Sequence, residues 1–365
     1  MRMRAAVCVA VGGPLEVREV DLRPPGHGEV LVRITATGVC ASDVGVIDGT
    51  LPKPMPIVPG HEAAGRVAAL GPGVDDLAID DHVVLTILPW CGRCPACVAG
   101  RRRACAWAGD LAATGTVDGT STALSLDGAP LHHFTGVSSW AEHAVVPRTG
   151  VVRVSDDLPS SQAALLGCAV ATGFGAVRTA ARVGAGQSVA VIGCGGVGLN
   201  VVQAAVLAGG GPVVAVDRNP DALRTAAALG ATHTVRVTDT SVDAGILQVV
   251  PDGVDHCFEV LGRPATVEAA WRATAAGGQT TVVGLLPATS TITLDAYPLI
   301  FEKRLVGTYL GGAEPARDLP ALARAALDGA ITLAALIEEI TLDDLPAAVQ
   351  RLRAGTVRAR LVVAM

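Results

Sequence analysis

Alternation of apolar and polar positions dominates the first 150 residues. Runs such as AAVCVAV (5–11), EVLVRITATGVC (29–40), HEAAGRVAAL (61–70), DHVVLTILPW (81–90) and WAEHAVVP (140–147) are cut by Gly and Pro. That texture predicts short strands in a mostly β domain with irregular loops. Near residue 160 the period lengthens. SSQAALLGCAVATGFGAVRTAAR (160–182) has helical spacing, with Ser160 and Ser161 as expected caps. A βαβ rhythm follows: SVAVIG (188–193) and PVVAVD (212–217) read as buried strands around the helix GLNVVQAAVLAG (198–209). The next helix, NPDALRTAAALG (219–230), takes Asn219 as N-cap, Pro220 at its first position and Gly230 as its stop. VDHCFEVLG, a helix through EAAWRATA and the strand QTTVVGLL continue the pattern. The tail, RLRAGTVRARLVVAM, ends in a strand. The expectation is an α/β chain: a mostly β domain over 1–168 and 308–365, and a doubly wound parallel-sheet domain over 169–307.

Two stretches imitate membrane or export signals. The opening MRMRAAVCVAV places basic residues before an apolar run, but it lacks a small-x-small cleavage site and continues into the alternating LEVREVDL. Residues 183–216 carry no charge, yet glycines divide them into a strand, a turn and a helix. A cytoplasmic protein outside the membrane is expected. The net charge of −6 and the absence of any basic run longer than Arg101–Arg103 argue against nucleic acid. Aromatics make up only 3% of 365 residues, so Ala and Val must supply much of the core.

Between the strand SVAVIG and its helix stands Gly193-Cys194-Gly195-Gly196-Val197-Gly198, a G-x-G-x-x-G turn. Gly193 permits the tight turn, Gly195 a close approach to a pyrophosphate, and Gly198 close packing of helix on strand. The helix N-terminus then offers amides to the phosphates. Alone the motif is weak, but Asp217 ends the next strand, where a carboxylate binds both ribose hydroxyls. That carboxylate repels a 2′-phosphate, so NAD is favoured over NADP; the adjacent Arg218 partly offsets the repulsion.

Four of the nine cysteines, Cys91, Cys94, Cys97 and Cys105, form C-x2-C-x2-C-x7-C. Four thiolates on one loop can close around a tetrahedral zinc with no open position, a structural site over 91–105. An iron–sulfur cluster suits the same set, and disulfides are the alternative. Elsewhere, Cys40 in GVCASD (38–43) reads from its neighbours alone as a buried small hydrophobe, a metal ligand or a nucleophile.

Taken together, GVCASD, GHEAAG (60–65), CGRCPACVAGRRRAC (91–105), LHHF (131–134), LLGCAVATGFGAV (165–177), GCGGVG with Asp217, and Arg358 resemble the zinc-dependent medium-chain alcohol dehydrogenases, close to the NAD-dependent alcohol dehydrogenases of that superfamily, along essentially the whole chain. The resemblance implies a GroES-like catalytic domain, a Rossmann cofactor domain and two zinc ions per chain. Cys40, His61 and Cys168 would bind the catalytic zinc, leaving one position open. Asp43 would orient His61 from behind, and Glu62 would lie behind the metal as a transient ligand. The zinc would act as a Lewis acid on an alcohol, Ser42 would accept its proton, and hydride would pass to NAD. Thr172 and Val197 would pack on the nicotinamide, and Arg358 would contact the pyrophosphate.

Two positions depart from the family. Ala41 stands where a basic residue grips the pyrophosphate, and Gly45 where many members carry a histidine that ends the proton relay. Slower proton release at low pH, or water in place of the histidine, and an altered cofactor grip are expected. The positions matching substrate-facing places, Leu51, Ile87, Phe134 and Leu285, are all apolar. Leu51 replaces an acidic residue of the glutathione-dependent formaldehyde dehydrogenases, so an uncharged primary or secondary alcohol, or its aldehyde or ketone, is the expected substrate. A homodimer through strands around 290–312 is implied by the same resemblance. Some bacterial relatives keep NAD bound and use an external acceptor, or dismutate aldehydes, which leaves that reaction open. A zinc-independent quinone or enoyl reductase would lack Cys40, His61 and Cys168. A non-catalytic sensor that binds NAD and zinc would tolerate loss of Ser42. All of these residues are present. Cys8, Cys194 and Cys257 are read as core, and His132 and His133 as structural.

Overall fold

The computed structural model describes residues 1–238, 241–357 and 360–365. The chain forms two compact units, Met1–Cys168 with Glu314–Met365, and Ala169–Ala313.

The first unit is built on the strand Glu29–Gly38, whose buried positions follow the alternation of EVLVRITATG. It pairs antiparallel with Ala63–Leu70, with His143–Pro147 and with Arg360–Ala364, so the tail strand returns to the first unit. Beside this sheet, Arg2–Cys8, Leu15–Leu22, Leu124–Leu126, Ala129–His133 and Ile57–Val58 close a barrel. The barrel core is mostly Ala, Val and Leu, with fully buried Trp140 as its largest side chain. Its indole N–H donates to the Gly38 carbonyl at 3.1 Å, which ties the core to the loop carrying Cys40.

His133 sits at the end of one barrel strand and is buried. Its Nε2 accepts from the Ala123 amide at 2.9 Å, so the ring proton is on Nδ1, a buried atom with no partner among the described residues. Burial, reinforced by the nearby Arg23 charge, pushes its pKa down to about 3. Below the unfolded value near 6.5 the unfolded chain takes up a proton that the folded one refuses. The stability this neutral ring contributes is therefore intact above about pH 6.5 and is lost as the pH falls towards 3. At about pH 5 the loss amounts to roughly 2 kcal/mol. Denaturant titrations of wild type and His133→Gln at neutral pH and near pH 5 check this: the variant should lose less stability on acidification. Equal losses would show that His133 is not the group involved.

The second unit is a six-stranded sheet, parallel throughout. Its order is His233–Arg236, Val213–Asp217, Val189–Ile192, Val254–Glu259, Thr274–Val282, Arg304–Gly307. This is the doubly wound order, and the chain reverses direction of travel between Val189–Ile192 and Val254–Glu259, where such sheets bind ligands. The central runs VAVI and VVAV are buried at every position, as strands covered on both faces must be. Asn219 caps the helix Pro220–Ala228 by accepting from the Asp221 amide at 2.9 Å.

Two local expectations need correction. Ser160 and Ser161 do not cap their helix. Pro159 is the N-cap, its carbonyl accepts from the amides of Gln162 and Ala163, and both serines fall in the first turn. The hydroxyl of Ser160 meets His82 Nε2 instead, at 3.3 Å. Also, the first unit resumes at Glu314 rather than at 308. Thr308 still bonds to the Val282 carbonyl, and Gly311, at φ +64°, packs backbone to backbone against Thr172 and Ala176. A side chain at Gly311 would overlap the Thr172 carbonyl at 2.2 Å.

The helical stretch Ser160–Ala181 is long and apolar enough to cross a membrane by composition, but 78% of that window is buried within the protein.

Candidate metal and cofactor sites

Cys40 is the N-cap of the helix Ala41–Asp48, and the sequence C-x-x-D makes this a capping box. The Asp43 carboxylate reaches back to the Cys40 amide at 2.9 Å. The same carboxylate accepts from the Gly60 amide and from His61 Nδ1, both at 2.9 Å. Because a carboxylate only accepts, His61 Nδ1 carries a proton, which leaves Nε2 as the nitrogen that would meet a metal. Phe134 lies edge-on to the His61 ring, with centroids 5.3 Å apart. The ring is thus held on its polar and its apolar side.

Cys168 occupies a π-helical turn, Leu166–Val170. Close approach fixes that turn: a side chain on Gly167 would lie 2.4 Å from the Leu85 carbonyl. Ligand atoms of Cys40, His61, Glu62 and Cys168 all lie within 4.8 Å of one another, and all four residues are buried. Glu62 is also gripped by both arms of Arg360, through Nε at 3.1 Å and through Nη2. Sequence reading missed Arg360. Its signal was a charged residue heading the apolar run LVVA, where an unpaired charge would not be buried.

The charges are strongly coupled. The Cys168 thiol hydrogen-bonds to Cys40 and lowers the Cys40 pKa well below a free thiol's; Arg360 and His61 assist against burial. The same bond, with burial, raises Cys168. Burial alone would depress His61, but the Asp43 charge and hydrogen bond, with those of Cys40, hold it well above its usual range. Burial raises Glu62 against the opposing pull of Arg360. Two sulfurs and one imidazole nitrogen at this spacing suit a tetrahedral zinc with a free fourth position, and the anionic thiolate is already favoured.

The other cysteines of the 91–105 loop also converge. Cys105 Sγ is 3.6 Å from Cys91 Sγ and 4.0 Å from Cys94 Sγ, and all four sulfurs lie within 4.8 Å. Zinc–sulfur bonds of about 2.3 Å place tetrahedral ligands roughly 3.8 Å apart, so the set fits. Backbone amides of Arg93 and Cys94 lower Cys91, and those of Cys97 and Ala106 bring Cys94 to about 6. No disulfide forms among the nine cysteines. Cys8, Cys194 and Cys257 are buried away from both sets.

In the second unit three of the turn's four glycines differ in what a side chain would meet. Gly193 has φ +97°, and a Cβ there would strike Leu261. A Cβ on Gly198 would lie 1.8 Å from the Gly193 carbonyl, whereas Gly195 faces open space of the kind a phosphate fills. Gly195 is the N-cap of the helix Gly196–Leu207, and Val197 is half-buried in its first turn. Asp217 is fixed by the Cys194 amide at 2.7 Å and the Asn219 amide at 2.8 Å. One lone pair on each oxygen remains for a ribose hydroxyl. Arg218 is exposed beside it, and Arg236 stands in register with it on the next strand. Thr172 is buried in the second unit, while Arg358 lies outside the described residues.

Ser42 Oγ is 3.8 Å from Cys40 Sγ. Ala41 is exposed, and Gly45 turns its open face to Thr50 and Leu51. Of the four apolar pocket candidates, Phe134 touches the donor cluster. Leu51 and Ile87 are half-buried in the first unit, and Leu285 is exposed in the second.

Comparison with known proteins agrees with these geometries. The family models "Alcohol dehydrogenase GroES-like domain" and "Zinc-binding dehydrogenase" match residues 26–156 and 196–327. The S-(hydroxymethyl)glutathione dehydrogenase of Synechocystis sp. is 37% identical over 344 residues, 92% of each chain. Two crystal structures superpose with a TM-score of 0.94 over 100% of this chain and 99% of theirs. They are a Burkholderia ambifaria alcohol dehydrogenase zinc-binding domain protein at 33% identity, and Acinetobacter calcoaceticus benzyl alcohol dehydrogenase at 30%.

Proposed function

Because the chain belongs to the zinc-dependent medium-chain alcohol dehydrogenases, we propose that it oxidises uncharged, apolar primary or secondary alcohols with NAD, and reduces the matching aldehydes or ketones. The observation carrying this reading is the buried set Cys40, His61 and Cys168, with His61 locked by Asp43. Zinc held by these three residues supplies a Lewis acid that makes an alcohol hydroxyl easier to ionise, and NAD supplies the hydride acceptor. Ser42, beside Cys40, takes the hydroxyl proton. Asp43 keeps His61 in its Nδ1–H form, and Phe134 excludes water from the ring's flank. Arg360 compensates the charge of Glu62, which would otherwise be buried without a counter-charge. With Gly45 in the relay position, water carries the proton onward from Ser42. Cys91, Cys94, Cys97 and Cys105 hold a second, structural zinc, which braces a loop with little core of its own.

Leu51 sets the substrate class. An apolar residue there does not pair with the charged groups of a glutathione adduct, so the reading departs from the Synechocystis relative and lies nearer to benzyl alcohol. A panel of benzyl alcohol, short aliphatic alcohols and S-(hydroxymethyl)glutathione, followed by NADH formation, tests it. Turnover of the glutathione adduct above all simple alcohols would sink the assignment.

NAD is the cofactor we infer from Asp217, whose carboxylate opposes a 2′-phosphate. Desolvated like charges cost several kcal/mol, so kcat/KM with NAD should exceed that with NADP by ~100-fold or more. With Arg218 and Arg236 adjacent, Asp217→Ser should gain NADP activity as it loses NAD preference. A wild-type ratio near one would refute the inference.

A homodimer is part of the proposal. The strand Arg304–Gly307 ends the parallel sheet, and Tyr297, Leu299, Ile300 and Phe301 just before it are exposed apolar side chains.

A further inference from the structure

A cavity of about 540 Å³ opens in the first unit between the 91–105 loop and the helix Pro315–Leu327. Its size lies within the range of small-molecule sites, and none of its lining residues belongs to either donor cluster. The floor is apolar: Leu77, Leu88, Val151 and Val152 are all buried. Four arginines and only two carboxylates stand around it. Arg148 is spent on Asp76 through paired bonds of 2.6 Å, and Arg103 on Glu314 at 2.9 Å.

The remaining two cations are not matched in this way. Arg153 reaches only to 3.9 Å from Asp81. Arg102 stacks its guanidinium 4.0 Å over the Trp90 ring and has no carboxylate partner among the described residues. Stacking uses the face of a guanidinium and leaves its in-plane N–H fork free, already oriented by the indole. Thr149, whose oxygen accepts from the Trp90 amide at 3.0 Å, has its hydroxyl hydrogen to give.

We propose that this cavity binds a small organic carboxylate, with the anion on the Arg102 fork and a flat apolar body over the Leu77–Leu88–Val151–Val152 floor. A cation is disfavoured because both lining carboxylates are already paired. One oriented, unspent fork above an apolar floor suits a monoanion with a hydrophobic body better than inorganic phosphate. The site is separate from the alcohol chemistry and does not depend on it.

The test is calorimetric titration of the full-length, zinc-loaded protein with naphthoate, alongside inorganic phosphate. Naphthoate should bind one per chain at this site, more weakly at high salt, and more tightly than phosphate. Arg102→Gln should weaken it by ~10-fold or more, the loss expected for a charge-assisted hydrogen bond. Ala316→Trp, which fills the cavity from the exposed first turn of the helix and replaces none of the cysteine ligands, should abolish it. Both variants should keep wild-type zinc content and alcohol turnover, and binding should survive in Cys168→Ala. Wild type that fails to bind, binding unchanged in Ala316→Trp, loss of binding in Cys168→Ala, or phosphate binding as tightly as naphthoate would each overturn the proposal.

Discussion

Cys168→Ala is expected to purify with one zinc per chain in place of two and to lose at least ~10³-fold in kcat. The cluster is left with one thiolate, one imidazole and a carboxylate already held by Arg360, a poor match for zinc's preference for soft donors in tetrahedral array. A Lewis acid at a reacting oxygen is worth several kcal/mol, and each 1.4 kcal/mol is tenfold in rate. The fold should tolerate the change, because alanine is smaller than cysteine and suits the apolar π-helical turn Leu166–Val170. NADH binding should survive as well, since the glycine turn and Asp217 lie wholly in the second unit. Metal analysis, NADH titration and steady-state kinetics on one preparation separate these effects. Near-wild-type turnover with a single zinc would remove Cys168 from the site; two zincs with no turnover would give it a role other than ligation.

Arg360→Met should be the most destabilising single change within this cluster, by about 3–5 kcal/mol, the usual cost of stranding one member of a buried ion pair. Glu62 is fully buried, and its charge is answered chiefly by the guanidinium. Exchanging both partners for neutral groups leaves nothing stranded. The double variant Glu62→Gln/Arg360→Met should therefore recover most of the loss in denaturant titrations. A double variant as unstable as the single one would mean that Arg360 acts through packing rather than charge.

The second unit was the more legible in the sequence. Apolar runs at fixed intervals, a glycine turn and an acid at the end of the next strand are local signals, and each maps onto one element. Asn219 and Pro220 announced a helix start because capping acts over two or three residues. The first unit hid more. Cys40 and His61 meet through pairing of neighbouring strands, but Cys168 comes on a helix more than a hundred residues later, and only the family resemblance joined the three. Arg360 went unnoticed because its partner, Glu62, is 298 residues away. The misread serine caps show a different limit: Ser160 and Ser161 had the right chemistry, but Pro159 supplied the helix start one residue earlier. Arg102 and Trp90 carried no pattern at all, since their stacking depends on how the cysteine loop folds back.

The tail strand also sets a timetable for synthesis. Residues 36–38 pair with 362–364, and the whole second unit is translated between them. At 5–20 residues per second the ribosome needs on the order of 15–60 s to cover that interval. Throughout it, one edge of the strand Glu29–Gly38 has no partner at its end, and Glu62 has no counter-charge. The nucleotide-binding half, whose contacts are nearer in sequence, can be complete while the metal-binding half still waits. A nascent chain of this design offers chaperones a long-lived open edge, and newly made protein should gain cofactor affinity before it gains turnover.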